Sequence, residues 1–290
     1  MENLIEIANL TQEIRNWIEF QKGEFQTRDI FDELNVARAK KAHVSKILSR
    51  LIVEQIIERS TTRRTGRFRR IERDLVKMDI FSTPQGTINI MLPFGIDEIV
   101  KTREGEVIVV AGAKNSGKTA FSLWTAIENR NTFEVHYFNS EMGEDELKER
   151  CENFTDIPFK EWGKVSFYPR SDNFQDVIVP GAGKLNIVDF MEVYEDFWIT
   201  KKWIAQIWKK LDGAIAIVNL QKPHNRDFGW GGEGTIEKAR LALAIDKGTV
   251  KIVSAKSWKC RENPNGKKIN FKLVGGSKFI PIDDWTLPED

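Results

Sequence analysis

The sequence predicts an α/β fold, a mainly parallel sheet with antiparallel C-terminal strands, preceded by a small helical domain that ends in a hairpin. Two observations predict it. From residue 106 onward, apolar runs of strand length alternate with helix-length stretches, as in parallel strands joined by crossover helices. Before residue 75, three helix-like segments precede two short strand-like runs. We therefore expect a first domain at 1–75, a linker at 76–93 and an α/β domain at 94–290.

Composition narrows the class of protein. The net charge of +1 gives no bulk basicity, so any nucleic-acid partner must bind a local patch. The two cysteines, Cys151 and Cys260, have no metal-ligand spacing and are expected to be free thiols in a reducing compartment. The sequence contains neither a secretory signal nor an apolar stretch of membrane-spanning length. We expect a cytoplasmic protein with no membrane partner.

The first domain has a recognisable order of elements. Apolar spacing predicts helices over Leu10–Phe20, Arg28–Leu34 and Ala37–Glu54, and strand-like runs follow at 56–59 and 67–71. Three helices followed by a hairpin resembles the winged helix-turn-helix family. In that family the last of the three helices enters the major groove of DNA.

Basic residues cluster on the last helix and the hairpin of this domain. Between Val36 and Arg73, twelve lysines and arginines face three glutamates. Such a patch can neutralise the phosphates of double-stranded DNA. The alternative is a protein-docking module whose basic face is only solvated. The residues expected to contact DNA here are Arg38, Lys41, Lys46, Arg63, Arg64 and Arg67.

A phosphate-loop motif opens the second domain. Residues 112–119 read Gly-Ala-Lys-Asn-Ser-Gly-Lys-Thr, which matches G-x-x-x-x-G-K-[ST] between a strand-like run and a helix-like run. In that context backbone N–H groups converge on phosphate oxygens, Lys118 reaches the β- and γ-phosphates, and Thr119 holds Mg²⁺. A glycine turn before an ordinary helix is the alternative. The expected ATP-binding residues are Gly112, Ala113, Lys114, Asn115, Ser116, Gly117, Lys118, Thr119 and Ala120.

Further strands and helices alternate after the loop. Apolar runs predict strands at 135–138, 165–168, 185–188 and 214–218, with helices at 145–154 and 199–211 between them. Three more strand-like runs, at 240–245, 249–255 and 269–274, are separated by short turns and predict antiparallel hairpins.

Polar residues end three of these strands. Asp189 follows the run 185–188, where a carboxylate can join the Mg²⁺ shell, although a helix N-cap is the alternative. Glu141 follows the run through Ser140 and can act as a general base on the attacking water. Gln221 ends the run 214–218, where its amide could sense the γ-phosphate, although an ordinary loop residue would look the same.

Together these positions resemble the DnaB-type replicative helicases, a branch of the RecA-like P-loop ATPases. The segment Tyr137–Arg150 is similar to a strand of that family that ends in Ser-x-Glu-Met and leads to a helix ending in Arg. Val188-Asp-Phe190 is similar to its Walker B motif, and Leu220-Gln221 to its Gln-Leu sensor in reversed order. Ser254-Ala-Lys256 is similar to the start of its trans-acting finger.

The resemblance implies a RecA-like core that binds ATP and Mg²⁺ at the interfaces of a homo-oligomer, in its concrete form a hexameric ring. It makes Glu141 the expected catalytic base and Lys256 the expected finger, a cation that reaches a neighbour's γ-phosphate. The family has an arginine two residues after that lysine, but this chain has Trp258 there. Lys259 or Arg261 could replace it only with a shift, so the identity of the finger stays open.

A glycine-rich loop after Gln221 is the candidate contact for single-stranded DNA. It combines the cations Lys222 and Arg226 with the aromatic rings of Phe228 and Trp230. Cations suit the backbone of a single strand and aromatic rings suit its bases. A disordered loop or a subunit contact is the alternative.

Two functions therefore follow as hypotheses. The first is a DNA-dependent ATPase, an oligomeric helicase or helicase-like replication protein of a mobile element or phage. The second is an ATP-binding regulator or adaptor that the first domain recruits to DNA or to a protein partner, without unwinding.

Overall fold

The computed structural model describes residues 2–21, 23–60, 66–73, 75, 77–82, 86–191, 199–224 and 226–288. The chain divides into two compact units, Met1–Thr83 and Pro84–Asp290.

The first unit is a small helical unit with a three-stranded antiparallel sheet. Its strands lie in the order β1-β3-β2. The buried core includes Ile14 and Ile30 from the first two helices, Val44 and Leu51 from the third, and Phe68 from the hairpin. The elements are α1 (Glu2–Phe20), β1 (Glu24–Gln26), α2 (Thr27–Glu33), α3 (Lys41–Val53), β2 (Ile57–Arg59) and β3 (Arg67–Arg70).

The second unit is built on one sheet of nine strands. Its elements are α4 (Ile96–Ile99), β4 (Val107–Gly112), α5 (Lys118–Asn129), β5 (Glu134–Asn139), α6 (Glu144–Glu152), β6 (Val165–Pro169), β7 (Lys184–Met191), α7 (Ile199–Lys210), β8 (Ile215–Gln221), β9 (Ala239–Asp246), β10 (Thr249–Ala255), β11 (Lys268–Val274) and β12 (Lys278–Pro281). The strand order is β12-β11-β10-β9-β4-β8-β7-β5-β6. The pairs from β9 through β6 are parallel, and β10, β11 and β12 pair antiparallel. The prediction of a mainly parallel sheet with antiparallel C-terminal strands is confirmed.

The central strands are apolar on both faces because helices cover both sides of the sheet. Alternate residues of β4 point to opposite faces, as strand geometry requires. Ile108 and Val110 pack with the α5 side chains Phe121 and Ile127. On the other face, Val107 and Val109 belong to the cluster that contains Ile204 and Ile207 of α7. Two-sided burial explains why the predicted strands are unbroken apolar runs.

The parallel register brings the carboxyl ends of four strands to one edge. Gly112 at the end of β4 pairs with Gln221 at the end of β8. Asn139 at the end of β5 pairs with Asp189 of β7. Val188 of β7 pairs with Val218 of β8, so the β4–β8 pair and the β5–β7 pair lie side by side in the sheet. Ligands of open parallel sheets bind at this edge, so the polar strand ends lie where a site is expected.

The segment that precedes α4 belongs to the second unit and contributes to its core. Ile90 and Leu92 are buried in its core. The buried Asn129 side chain accepts a hydrogen bond from the Met91 backbone N–H (2.9 Å) and donates one to the Met91 carbonyl (2.8 Å). Among the described residues, no helix combines the length and the apolar character that crossing a membrane requires.

Ile217→Ala is expected to destabilise the second unit by about 2–5 kcal/mol, because the side chain is fully buried in the centre of the sheet and its removal leaves a cavity. Urea unfolding followed by tryptophan fluorescence measures this, since eight of the nine tryptophans belong to the second unit. Ile282→Ala is the control, because Ile282 is 59% exposed. Equal losses in both variants would contradict the assigned core.

Candidate nucleotide-binding site

The phosphate loop joins the most central parallel strand to the helix that follows it. Residues 113–117 connect β4 to α5, and the first helical residue is Lys118. Two backbone hydrogen bonds anchor the start of the loop, from the Lys222 N–H to the Gly112 carbonyl (3.1 Å) and from the Ala113 N–H to the Ile245 carbonyl (3.2 Å). The loop therefore presents the amino end of α5, a preferred site for anions.

Two glycines are required by this geometry. A Cβ atom on Gly112 would lie 2.4 Å from Cγ of Lys118 and 2.6 Å from Oγ of Ser116, both inside contact distance. Gly117 has φ of +99°, a left-handed conformation that side chains disfavour. The spacing of the motif therefore has a steric cause in this chain.

The lysine of the motif is held in place by the loop itself. Nζ of Lys118 donates to the carbonyls of Gly112 (3.1 Å) and Ala113 (3.0 Å). Burial lowers the pKa of Lys118, and the nearby carboxylates of Asp189 and Glu141 oppose that shift. The ammonium group is therefore held by the loop and lies within electrostatic range of two acidic groups.

The geometry fits a bound phosphate in two respects. The space beside Gly112 that a Cβ would fill is occupied by Lys118 and Ser116, so the loop is shaped around these two side chains. Oγ of Ser116 is buried and has no hydrogen-bond partner among the described residues. A buried hydroxyl without a partner is costly, and a phosphate oxygen would satisfy it.

A cavity of about 500 Å³ lies over the loop and joins it to the neighbouring strand ends. It is lined by Lys114, Asn115, Ser116, Gly117, Lys118, Thr119 and Ala120 of the loop and α5, by Glu141, Met142, Glu146, Arg150, Phe190 and Gln221, and by Leu273 and Gly276. Within one cavity the structure thus brings together the predicted phosphate loop, the predicted base and the predicted sensor.

The turn that carries Glu141 is fixed by hydrogen bonds on both sides. The Asn139 side chain donates to the Met142 carbonyl (2.6 Å) and accepts from the Met142 N–H (3.1 Å). The Ser140 N–H donates to the Asp189 carbonyl (3.0 Å). These bonds hold the Glu141 carboxylate at the cavity, within electrostatic range of Lys118.

Asp189 lies behind the cavity and is 3% exposed. Its carboxylate accepts hydrogen bonds from the Tyr137 hydroxyl (2.5 Å) and from Nδ2 of Asn219 (2.7 Å). Among the described residues no group of three or more histidine, cysteine or acidic side chains could hold a metal ion alone. The hydroxyl of Thr119 and the carboxylate of Asp189 are nevertheless the hard oxygen ligands that Mg²⁺ takes when phosphates supply the others.

Sequence reasoning missed several residues of the site. Tyr137 and Asn219 lie inside apolar strand runs, where the one available signal was a polar group in an otherwise apolar stretch. Arg150 and Phe190 line the cavity, but their sequence positions alone do not show which way they point.

Lys222, expected to contact DNA, is placed elsewhere by the structure. Its ammonium group is buried and donates to Oδ1 of Asp246 (2.6 Å). The charge therefore faces Asp246, the last residue of β9, instead of solvent. Arg226 is exposed, and Trp230 is 43% exposed.

The expected DNA contacts of the first unit fall into three groups. Arg38, Lys41 and Lys46 are exposed at or near α3. Arg67 forms an ion pair with Glu24 (3.3 Å) across the small sheet, so its charge is already engaged. Arg63 and Arg64 lie outside the described residues.

Lys256 lies at the opposite end of the strands from the phosphate loop. The Lys256 N–H bonds to the Arg240 carbonyl, near the start of β9, whereas Gly112 pairs with Ile245 at its end. Arg240 and Ile245 are five strand residues apart, so Lys256 and Gly112 are separated by about 16 Å along the strand direction. Nζ of Lys256 donates to the Glu237 carbonyl (2.9 Å). Lys256 therefore lies too far along the strands to reach the loop of its own chain in this conformation.

The other two finger candidates lie on the same connection between β10 and β11. Lys259 and Arg261 are exposed. The Lys259 N–H donates to the Ile99 carbonyl (2.7 Å), and Trp258 forms a β-bridge with Val100. Trp258, which stands where the DnaB-type helicases have their finger arginine, therefore ties this connection to the core.

Solved structures with similarity to this chain include three from different proteins. A KaiC-like protein from the hyperthermophilic archaeon Pyrococcus horikoshii is 18% identical, with a TM-score of 0.52 over 69% of this chain and 100% of that chain. The RadB recombinase is 15% identical, with a TM-score of 0.45 over 60% of this chain and 90% of that chain. A third structure, an ATPase domain, is 16% identical, with a TM-score of 0.49 over 67% of this chain and 93% of that chain.

No protein-family model and no curated protein matches the sequence. At 18% identity, the similarity to the KaiC-like protein shows the fold alone. That fold is an α/β fold with a large and mostly parallel sheet. The prediction of this fold class is confirmed, and the RecA-like assignment stays a prediction.

Gly112→Ala is expected to abolish nucleotide binding while the protein stays folded, because the new methyl group would displace Lys118 and Ser116. Binding of a fluorescent ATP analogue, with melting temperature measured in parallel, tests this. Gly163→Ala is the matched control, since a Cβ there meets no atom within 4 Å. Wild-type affinity in Gly112→Ala would contradict the assignment of the loop.

Proposed function

We propose that the chain is a DNA-dependent ATPase of RecA type that works as a homo-oligomer, in concrete terms a helicase or helicase-like replication protein. One observation supports this most directly. The phosphate loop, a carboxylate suited to act as a base and a strand-end amide line the same cavity of about 500 Å³. A cavity of this size suits a nucleotide.

The phosphates of ATP are expected to bind at the amino end of α5. Backbone N–H groups of residues 113–117 and the Ser116 hydroxyl donate to phosphate oxygens, and Lys118 leaves the loop carbonyls to pair with the β- and γ-phosphates. Thr119 and Asp189 are the residues that would hold Mg²⁺, which when bound neutralises charge on the phosphate oxygens.

Hydrolysis needs a base and a sensor of the γ-phosphate. Glu141 accepts a proton from the attacking water, a role that suits a carboxylate held at the cavity wall by the Asn139 turn. Gln221 lies at the same level of the sheet as Gly112, so its amide can hydrogen-bond the γ-phosphate and report its loss to the loop that follows.

The trans-acting cation is proposed to come from a neighbouring subunit. Lys256 is too far from the loop of its own chain. A head-to-tail ring would bring the amino edge of one subunit's sheet next to the carboxyl edge of the neighbouring subunit's sheet. A cation there offsets negative charge in the transition state. Lys259 and Arg261 are the alternatives on the same connection.

DNA is proposed to bind at two places. The loop after Gln221 offers exposed Arg226 and Trp230 to a single strand. We interpret residues 1–75 as a winged helix-turn-helix, on the basis of the element order α1-β1-α2-α3-β2-β3, with 76–93 as linker and 94–290 as ATPase domain. Exposed Arg38, Lys41 and Lys46 would then meet double-stranded DNA.

Lys118→Ala is expected to abolish ATP binding, and Glu141→Gln to keep ATP binding but slow hydrolysis by roughly 10²–10⁴-fold, since it removes only the base. Steady-state phosphate release, with and without single-stranded DNA, measures both effects. Single-stranded DNA is expected to accelerate the wild-type protein. A slow rate that DNA leaves unchanged would contradict the helicase proposal.

A second candidate function is an ATP-controlled adaptor that assembles without fast turnover. The observation that favours it is Trp258, which bridges to Val100 at the position where the family places its finger arginine. An adaptor predicts that Glu141→Gln keeps biological function while Lys118→Ala destroys it. Loss of function in both variants would favour the first proposal, the DNA-dependent ATPase.

Mixing two inactive variants tests the finger in trans. Lys256→Ala keeps its phosphate loop and Lys118→Ala keeps its finger, so a random one-to-one mixture should restore about a quarter of the interfaces. ATPase activity of the mixture above that of either variant alone is the expected result. Lys118→Ala mixed with Glu141→Gln is the control, because both defects fall on the same side of an interface. Full activity of Lys256→Ala alone would transfer the role to Lys259 or Arg261.

A further inference from the structure

A buried polar network surrounds the Asp189 carboxylate. The hydroxyl of Tyr137 on β5 donates to Oδ2 (2.5 Å), and Nδ2 of Asn219 on β8 donates to Oδ1 (2.7 Å). Nδ2 of Asn219 also donates to Oγ of Ser122 on α5 (2.8 Å). Tyr137, Asn219 and Ser122 are each fully buried.

This network holds both oxygens of the carboxylate. Each oxygen has its own donor, and the two donors come from the strands on either side of β7, so rotation about the Cβ–Cγ bond would break both hydrogen bonds. The Tyr137 hydroxyl is the donor in this pair, because an ionised carboxylate can only accept.

The position of the network argues against a role in packing alone. Polar groups buried at the centre of a sheet cost stability unless all of them are paired, and an apolar side chain would fill the same space at lower cost. Here both donors converge on the one carboxylate that lies behind the phosphate loop. The link through Ser122 reaches the helix that begins with Lys118 and Thr119.

We propose that Tyr137 and Asn219 are positioning residues, which hold the Asp189 carboxylate in the orientation that Mg²⁺ of a bound nucleotide requires and couple it to α5 through Ser122. The inference rests on the proposed function, because it assumes that a nucleotide binds with Mg²⁺. Tyr137, Asn219 and Asp189 all lie behind the residues that line the cavity, and the two donors contact the site through the Asp189 carboxylate and through Ser122. The partners that orient a metal ligand commonly matter almost as much as the ligand itself.

The Mg²⁺ requirement for nucleotide binding tests this proposal. Tyr137→Phe removes one hydroxyl and keeps the ring, so its melting temperature should stay within a few degrees of the wild type. Binding of a non-hydrolysable fluorescent ATP analogue is titrated at a series of Mg²⁺ concentrations, and Mn²⁺ binding is followed by electron paramagnetic resonance. The half-saturating metal concentration is expected to rise roughly tenfold or more, while affinity without metal is unchanged.

Two further variants complete the design. Asn219→Ala removes the second donor and should raise the metal requirement in the same way. Tyr168→Phe is the control hydroxyl deletion, because Tyr168 is 41% exposed and lies on the edge strand β6. An unchanged metal requirement in both Tyr137→Phe and Asn219→Ala would overturn this inference alone. Equal losses of affinity with and without metal would also overturn it, since they indicate a merely structural role. A wild-type protein that binds no nucleotide at any metal concentration would overturn the proposed function as well.

Discussion

The parallel register of β4, β8, β7 and β5 is the constraint on which the site depends. It places Gly112, Gln221, Asp189 and Asn139 at one edge of the sheet, although they are spread over more than a hundred residues of sequence. None of these residues could form the cavity alone. A slip of one residue in any strand would reverse its side chains and move a polar strand end to the opposite face.

Close packing of the loop against its own lysine gives that edge the geometry of the proposed phosphate site. Since Lys118 fills the space beside Gly112, the site carries a cation near two carboxylates before any ligand is present. Under the proposed function, phosphate binding would exchange the carbonyl partners of Lys118 for phosphate oxygens. The exchange replaces neutral acceptors by charged ones, which form the stronger hydrogen bonds.

Much of the fold was predictable from the sequence because its signals are local. Apolar runs marked the central strands. The motif Gly112–Thr119 marked the loop, because the side chains that would clash with a Cβ on Gly112 lie within six residues of it in sequence. The direction of Lys222 could not be predicted, because its partner Asp246 lies on another strand. Tyr137 was missed because an aromatic residue in an apolar run is indistinguishable from core until the hydroxyl meets Asp189 in three dimensions.

The same geometry separates the residues proposed for binding from those proposed for turnover. The proposed phosphate, base and sensor groups all lie at the carboxyl edge of one sheet, whereas Lys256 lies near the amino edge, five strand residues away. Under the proposed function, one chain would hold what nucleotide binding requires, while its finger candidate Lys256 would be out of reach of the γ-phosphate. If the required charge comes from a neighbour, assembly controls hydrolysis. Any ligand that changes how two subunits meet, DNA included, would then change the rate without touching the phosphate loop.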